Sequence, residues 1–245
     1  MKKLIPIALL GMNMAVMNGQ ILQKTGTFTM DVSSSGNLPP EASTYIDGIS
    51  TMYYTLPDRK VNGSPYLQDD FIFGVMKTVD TVTIEGLRFR YDVYHDEMQF
   101  ILKNDTASII RPLTLISLEF GSVKFVYDVF LDAGDKAAAG YFEVLEQGGL
   151  TALLKRTKEL EFDEYLKNYG GGGGSKEFYF REKEQLYIRY KDALARKITN
   201  NREFLALLRD HRDEMKDFMK SNRLSARKQD DLVRMVSYYN ELGTN

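Results

Sequence analysis

The chain has 245 residues, a hydrophobic fraction of 43%, a charged fraction of 27% and a formal net charge of -2. That is long enough to bury a real core and too apolar for a disordered chain, and a pI near 5.8 argues against a general nucleic-acid binder. With no cysteine, disulfides, thiolate nucleophiles, zinc–cysteine sites and acylation on Cys are excluded.

At the N-terminus Lys2 and Lys3 precede an apolar run from Leu4 to Met17, interrupted by Pro6, Gly11 and Asn13. Polar sequence begins at Asn18, Gly19 and Gln20. A positive start, a short apolar stretch and a small residue at its end have the form of a secretory signal peptide, expected over residues 1–19. The run falls short of the roughly 20 apolar residues of a membrane helix. Met17 stands where a small residue is preferred if Gly19 is the last residue removed, so the competing reading is a buried first strand or helix. The expectation is an exported protein, periplasmic or extracellular, with no transmembrane segment once the leader is gone.

Residues 20–66 read as an irregular lead-in, with loop signals at Ser33-Ser34-Ser35-Gly36 and Pro39-Pro40 and short strand-like patches between Ile46 and Tyr54. Residues 67–190 read as an antiparallel β domain. Leu87, Phe89, Tyr91 and Val93 alternate with polar neighbours, as do Met98, Phe100 and Leu102, then Val123, Phe125, Tyr127 and Val129. Period-two alternation over short runs is the strand signature, and 15 Tyr and 14 Phe fit half-buried pleated surfaces. Glu85-Gly86, His95-Asp96, Asn104-Asp105, Gly121-Ser122, Gly134-Asp135 and Gly148-Gly149 read as turns. The gaps are too short for crossover helices, so neighbouring strands should be antiparallel.

A glycine-rich loop is expected at 170–175, built on the run Gly170 to Gly174. After it, Phe178 and Phe180 are expected to face Leu186, Ile188 and Tyr190 in a hairpin turning at Arg181-Glu182-Lys183, with the Leu153 region as a further partner across the glycine loop. Residues 191–245 switch to helical spacing. Phe204, Leu205 and Leu208 lead, then Met215, Phe218 and Met219, with a break at Ser221-Asn222. Ser225 is the expected N-cap of a last helix through Leu242, whose apolar stripe is Leu232, Val233, Val236 and Tyr239.

Candidate chemistry is sparse. The glycine run lacks the Gly-Lys-Ser/Thr ending of a phosphate cradle, because Ser175 precedes Lys176 and Glu177 follows. Tyr91, Asp92, Tyr94, His95, Asp96 and Glu97 form the most reactive cluster, but within one turn they read as a solvated loop. No Gly-x-Ser-x-Gly elbow occurs, and a Ser-His-Asp triad would have to use His95 or His211. Carboxylates cluster at Asp69-Asp70 and at Glu159, Glu161, Asp163 and Glu164, which reads first as a solvated face. From Lys176 onward 16 Lys and Arg interleave with 12 Asp and Glu, the pattern of an exposed salt-bridged surface and not of a phosphate-binding stripe. The Tyr and Phe rings are expected mainly in the core, with a ligand groove as the alternative.

Several stretches together resemble a family of exported proteins of Gram-negative bacteria to which no activity is assigned. They are Gly63-Ser64-Pro65-Tyr66-Leu67 with Phe71, Leu87-Arg88-Phe89-Arg90-Tyr91-Asp92-Val93-Tyr94 leading to Asp96-Glu97-Met98, Tyr141-Phe142-Glu143-Val144-Leu145, Leu153-Leu154-Lys155-Arg156, and Asp231-Leu232 through Tyr238-Tyr239-Asn240. The resemblance implies export and transfers no site residues.

The expected fold class is α+β, mainly antiparallel β-sheet (meander, sandwich or open barrel) with a C-terminal helical element. The expected function is a non-enzymatic cell-envelope protein that binds a small ligand or protein partner, with no nucleic acid, no cofactor and no assigned catalytic or metal residue. One alternative is a carboxylate-based hydrolase of glycan-type substrates, recognisable by two carboxylates about 5–10 Å apart in one pocket. Another is an interaction module docking through its C-terminal helices, recognisable by an exposed stripe at Leu232, Val236 and Tyr239.

Overall fold

The computed structural model describes residues 61–79, 82–102, 105–109, 115–132, 136–162, 178–191 and 193–243, together with the backbone of short strands within 16–31. The expected leader therefore lies outside the described residues except for its last strand, and the glycine loop at 170–175 lies wholly outside them. The N-terminal strands are β1 (Val16–Met17), β2 (Gln20–Ile21) and β3 (Phe28–Asp31). The main body follows with β4 (Val61–Asn62), β5 (Ile72–Thr78), β6 (Val82–Asp92), β7 (Glu97–Leu102), β8 (Asp105–Ser108) and β9 (Leu115–Phe120). It continues through β10 (Val123–Leu131), β11 (Ala137–Glu146), β12 (Leu150–Phe162), β13 (Phe178–Tyr190) and β14 (Arg196–Ile198). The helices are α1 (Asn201–Leu207), α2 (Arg212–Ser221) and α3 (Gln229–Leu242). This is the α+β class expected, antiparallel sheet with helices at the C-terminus, and no helix of the described residues is long and apolar enough to cross a membrane.

Two meanders share one sheet. β5 to β8 run side by side, then the chain returns so that β9 pairs with the free edge of β5 before β10 to β14 continue outward in order. The pairs are antiparallel apart from short parallel additions of β3 to β6 and β4 to β13. The expected turn at Gly86 is instead a bulge within β6, where the register against β5 shifts and Gly86 takes φ +83°. The expected hairpin at Arg181-Glu182-Lys183 is also corrected: β13 is one strand of 13 residues lying along β12 from Leu150↔Tyr190 to Phe162↔Phe178. The polar run does not turn because its charges find partners across the strand pair. Arg156 reaches Glu182 at 2.9 Å and also bonds Glu184, and Lys183 reaches Glu159 at 2.5 Å. The pairing of β13 with the Leu153 region across the glycine loop is as expected.

The second meander curls until it meets itself. The Ala195 N–H donates to the Val129 carbonyl at 3.2 Å and the Leu131 N–H donates to the Ala195 carbonyl at 3.3 Å, a parallel bridge between β10 and the residue leading into β14. Five alternating strands leave the first and last parallel, so a parallel bridge is what closes such a ring. The sheet thus extends past residue 190, into the segment expected to be helical. Inside the ring Val126 pairs with Phe142, Leu153 with Val144 and Tyr187, and Phe130 with Ala138 and Ala195. These side chains form one core.

The outside of the ring serves two further cores. Phe125 and Tyr141 face the first meander, packing with Phe89, Tyr91, Phe100 and Phe120. Rings stack or meet edge-on along this core, Phe120 to Phe125 at 5.0 Å and Tyr91 to Tyr141 at 5.8 Å, so these aromatics fill a core instead of lining a groove. On the other side Leu150, Ala152, Leu154, Leu186, Ile188 and Ile198 are roofed by the helices through Phe204, Met215, Met219, Leu232, Met235 and Val236. Leu232 and Val236 are fully buried and Tyr239 is 7% exposed, so the α3 stripe expected as a docking face is spent on the sheet. α3 begins at Gln229 with Lys228 as its cap residue; Ser225, expected in that role, sits one turn earlier and accepts from the Lys228 N–H through its carbonyl.

Candidate functional site

The cluster from Tyr91 to Glu97 is where the sequence places its most reactive groups, and it is not the solvated turn expected. Asp92 is 3% exposed and Tyr91 is 1% exposed. The turn is drawn inward because other segments bond to it. The N–H groups of Val93 and Tyr94 donate to the Pro65 carbonyl at 3.0 and 3.2 Å, and Lys158 Nζ donates to the carbonyls of Ser64 and Tyr66. His95 Nδ1 lies 2.9 Å from Asp92 Oδ2, and the His95 N–H donates to Asp92 Oδ1 at 3.0 Å. Tyr94 packs edge-on against His95 and Phe180.

Asp96, at φ +58°, carries the deepest contacts. It accepts from the Tyr91 hydroxyl at 2.5 Å, from the Tyr141 N–H at 3.2 Å and from Lys155 Nζ at 2.9 Å. Lys155 is 6% exposed, and its ammonium lies 5.4 and 5.3 Å from the Phe130 and Phe142 ring centres. Gly140 makes this approach possible, since a Cβ there would overlap both Asp96 Oδ2 and Lys155 Nζ. Burial first, and then the Asp96 charge, pushes the Tyr91 and Tyr141 hydroxyls well above the ordinary tyrosine range.

Four of the segments quoted for the family resemblance therefore meet here, through Pro65 and Tyr66, Tyr91 to Asp96, Tyr141 and Lys155. The cluster spends its groups on one another: Asp96 is occupied by three donors, and Asp92 by His95. Among the described residues no three His, Asp or Glu side chains converge as a metal site. His211, the other histidine, lies at the N-cap of α2 beside Glu214 and Tyr239. Asp69 accepts from the Ser64 hydroxyl, and Glu159 and Glu161 bond Lys183 and Arg181 across the β12–β13 pair.

A pocket among the described residues lies elsewhere, beside the helix-covered core. A pocket of about 260 Å³ is lined by Ile188, Tyr190, Leu194, Arg196, Leu207 and Arg209. Register builds it. Ile188 stands opposite Arg196, next along this face to the pair Leu186 and Ile198, and the three apolar side chains belong to the helix-covered core while Arg196 is exposed. Arg209 lies with its guanidinium 4.2 Å from the Tyr190 ring centre while its backbone N–H donates to the Tyr190 hydroxyl at 3.1 Å. That hydroxyl is 2.8 Å from the Tyr239 hydroxyl, which in turn donates to Asp210. Burial, followed by the bonds to Asp210 and Tyr190, raises the Tyr239 hydroxyl far above its ordinary range, so it stays a neutral donor. Among the described residues the lining thus combines the Tyr190 ring, whose hydroxyl is held on two sides, with two arginines.

No local motif announces this pocket, because it joins β13, the approach to β14 and the end of α1. No family model, curated protein or solved structure matches the chain.

Proposed function

We propose that this protein is exported and acts without chemistry of its own, binding a small ligand at the pocket on Tyr190. One observation carries the binding reading: the pocket sets apolar side chains and two arginines around a ring fixed on both sides, the mix of apolar wall and few convergent polar groups typical of ligand sites. Export rests on Lys2 and Lys3, the apolar run to Met17 and the polar onset at Asn18. The reactive cluster at Asp92 to Asp96 is assigned to holding the fold together, because each carboxylate there already has its donors.

A fragment screen by amide NMR on the purified protein tests binding. Shifts grouped on residues 186–196 and 205–210 are expected; a screen in which no fragment moves these amides refutes the ligand reading. Mass spectrometry of the protein recovered from the periplasm or medium of an expressing Gram-negative host tests export. An N-terminus just after Gly19 is the expected result, and a full-length chain confined to the cytoplasm refutes it.

A further inference from the structure

We propose that the side chains of Lys155 and Asp96 condense to an amide, an isopeptide bond that ties the turn after β6 to β12. The bond forms within the chain itself and stands apart from the pocket.

Placement comes first. Asp96 holds a left-handed backbone, φ +58°, with its carboxylate turned to β12, and Lys155 Nζ lies 2.9 Å from Asp96 Oδ2. The approach needs the bare backbone of Gly140, because a Cβ there would overlap both groups. Lys155 is 6% exposed, and the Phe130 and Phe142 rings stand 5.4 and 5.3 Å from its Nζ. Little water reaches the nitrogen.

The two carboxylate oxygens are held differently. Oδ1 accepts from the Tyr91 hydroxyl at 2.5 Å and from the Tyr141 N–H at 3.2 Å, while Oδ2 faces Lys155. Oδ1 thus has two donors already aimed at it, the arrangement that stabilises the oxyanion of a tetrahedral intermediate, and Oδ2 is the oxygen placed to leave. Lys155 Nζ also reaches the Tyr141 carbonyl at 3.5 Å, which fixes the nitrogen against the acid.

The step balances without a co-reactant. The ammonium passes one proton to Oδ2, leaving a neutral amine beside a neutral acid, the form of the pair that burial penalises least. The Nζ lone pair then bonds to Asp96 Cγ, and negative charge collects on Oδ1 under Tyr91 and Tyr141. The nitrogen gives a second proton to the Oδ2 hydroxyl, the Cγ–Oδ2 bond breaks, Oδ1 regains its double bond and one water departs. Nζ keeps one hydrogen as the amide N–H. Asp96 has 30% of its side chain in contact with solvent, which gives that water a way out. With no cysteine in the chain, an amide is a covalent tie between remote segments that needs no disulfide.

Intact-mass spectrometry of the purified full chain reads the outcome directly. The expected mass is one water below that of the sequence from the observed N-terminus. Trypsin is expected to release a conjugate of residues 91–103 with residues 137–156, because an amidated Lys155 is not cut. Lys155→Arg, which keeps a cation opposite Asp96 and cannot give this product, is expected to show the full mass and the circular dichroism spectrum of the parent. A parent chain with the full mass overturns the inference, whether or not the variant folds. A missing water located elsewhere, such as at Asp47-Gly48, or still missing in Lys155→Arg, overturns it as well.

Discussion

Gly140→Ala puts a single methyl group against the ion pair of Lys155 and Asp96. Gly140 lies in β11 opposite Asp128 and its φ is not positive, so alanine suits the backbone and by itself gains roughly 0.5–1 kcal/mol in a strand. The space is the obstacle. The new Cβ overlaps Asp96 Oδ2 and Lys155 Nζ, with Lys155 Cε at 3.3 Å, so one charged group must leave. Lys155 then remains as a cation with 8% of its side chain exposed and no counter-ion. Breaking a buried pair costs about 3–5 kcal/mol. Asp96 keeps 30% of its side chain in water, which places the cost at the low end, and the strand preference of alanine offsets part of it. The expected net is a loss of about 2 kcal/mol.

Urea unfolding followed by circular dichroism or tyrosine fluorescence measures it, the chain having no Trp. Asp96→Gly is the control, because glycine tolerates the φ of 58° at that position. Alone it is expected to cost about 3 kcal/mol, from a stranded Lys155 and the lost acceptor of Tyr91 and Tyr141. In its background Gly140→Ala meets only the flexible end of Lys155. The double variant should therefore fall within about 0.5 kcal/mol of Asp96→Gly, a coupling of about 2 kcal/mol. Additive costs, or a Gly140→Ala protein as stable as the parent, refute the reasoning.

Asn240→Ala should cost about 2 kcal/mol in the same assay, since the Asn240 amide accepts from the Leu150 N–H and donates to the Leu150 carbonyl, both at 2.8 Å; a loss under about 0.5 kcal/mol contradicts this. Glu203 accepts from the Thr199 hydroxyl and N–H and from Asn200, which holds its carboxyl below the ordinary glutamate range. A depressed value means stability present above about pH 4 and lost as pH falls, so the melting difference between the parent and Glu203→Gln should shrink toward zero on acidification; a difference independent of pH refutes the charge argument. The buried hydroxyls of Tyr91 and Tyr141 are raised, so their contribution is complete below about pH 10 and lost above it. Tyrosinate absorbance should rise in two stages on alkalinisation, the second coinciding with loss of the circular dichroism signal, and a single smooth titration of a folded protein counts against it.

Strand alternation was legible because each strand has one face in a core: Leu87, Phe89 and Tyr91 point inward together, as do Leu186 and Ile188. What misled was local chemistry satisfied from a distance. Arg181-Glu182-Lys183 looks like a turn until Arg156, Lys158 and Glu159 stand across from it, and Gly86 looks like a turn until β5 is seen to pass it with a shifted register. The cluster at Asp92 to Asp96 looked solvated because Lys155, 59 residues away from Asp96, and Pro65 are not visible from within the turn. The pairing of β9 with β5, which joins the two meanders, follows from closing cores that no single window of sequence displays.

The same distances show what the buried cluster holds together. A chain without cysteine needs other ties between remote segments. Asp96 to Lys155 spans 59 residues, Asp128 to Arg189 spans 61 and Leu150 to Asn240 spans 90. The first two tie remote strand segments to one another, and the third ties α3 to β12 within the helix-roofed core. The pocket on Tyr190 lies apart from these ties, beside the helix-roofed core. Stability and binding should therefore separate on substitution. Changes at Asp96, Lys155 or Asn240 should lower the urea midpoint without altering fragment binding at the pocket by the folded fraction. Leu194→Ala, at an exposed lining residue, should alter fragment binding without moving the midpoint, and a reversal of that pattern would mean that the buried cluster, not the pocket, is where this protein meets its ligand.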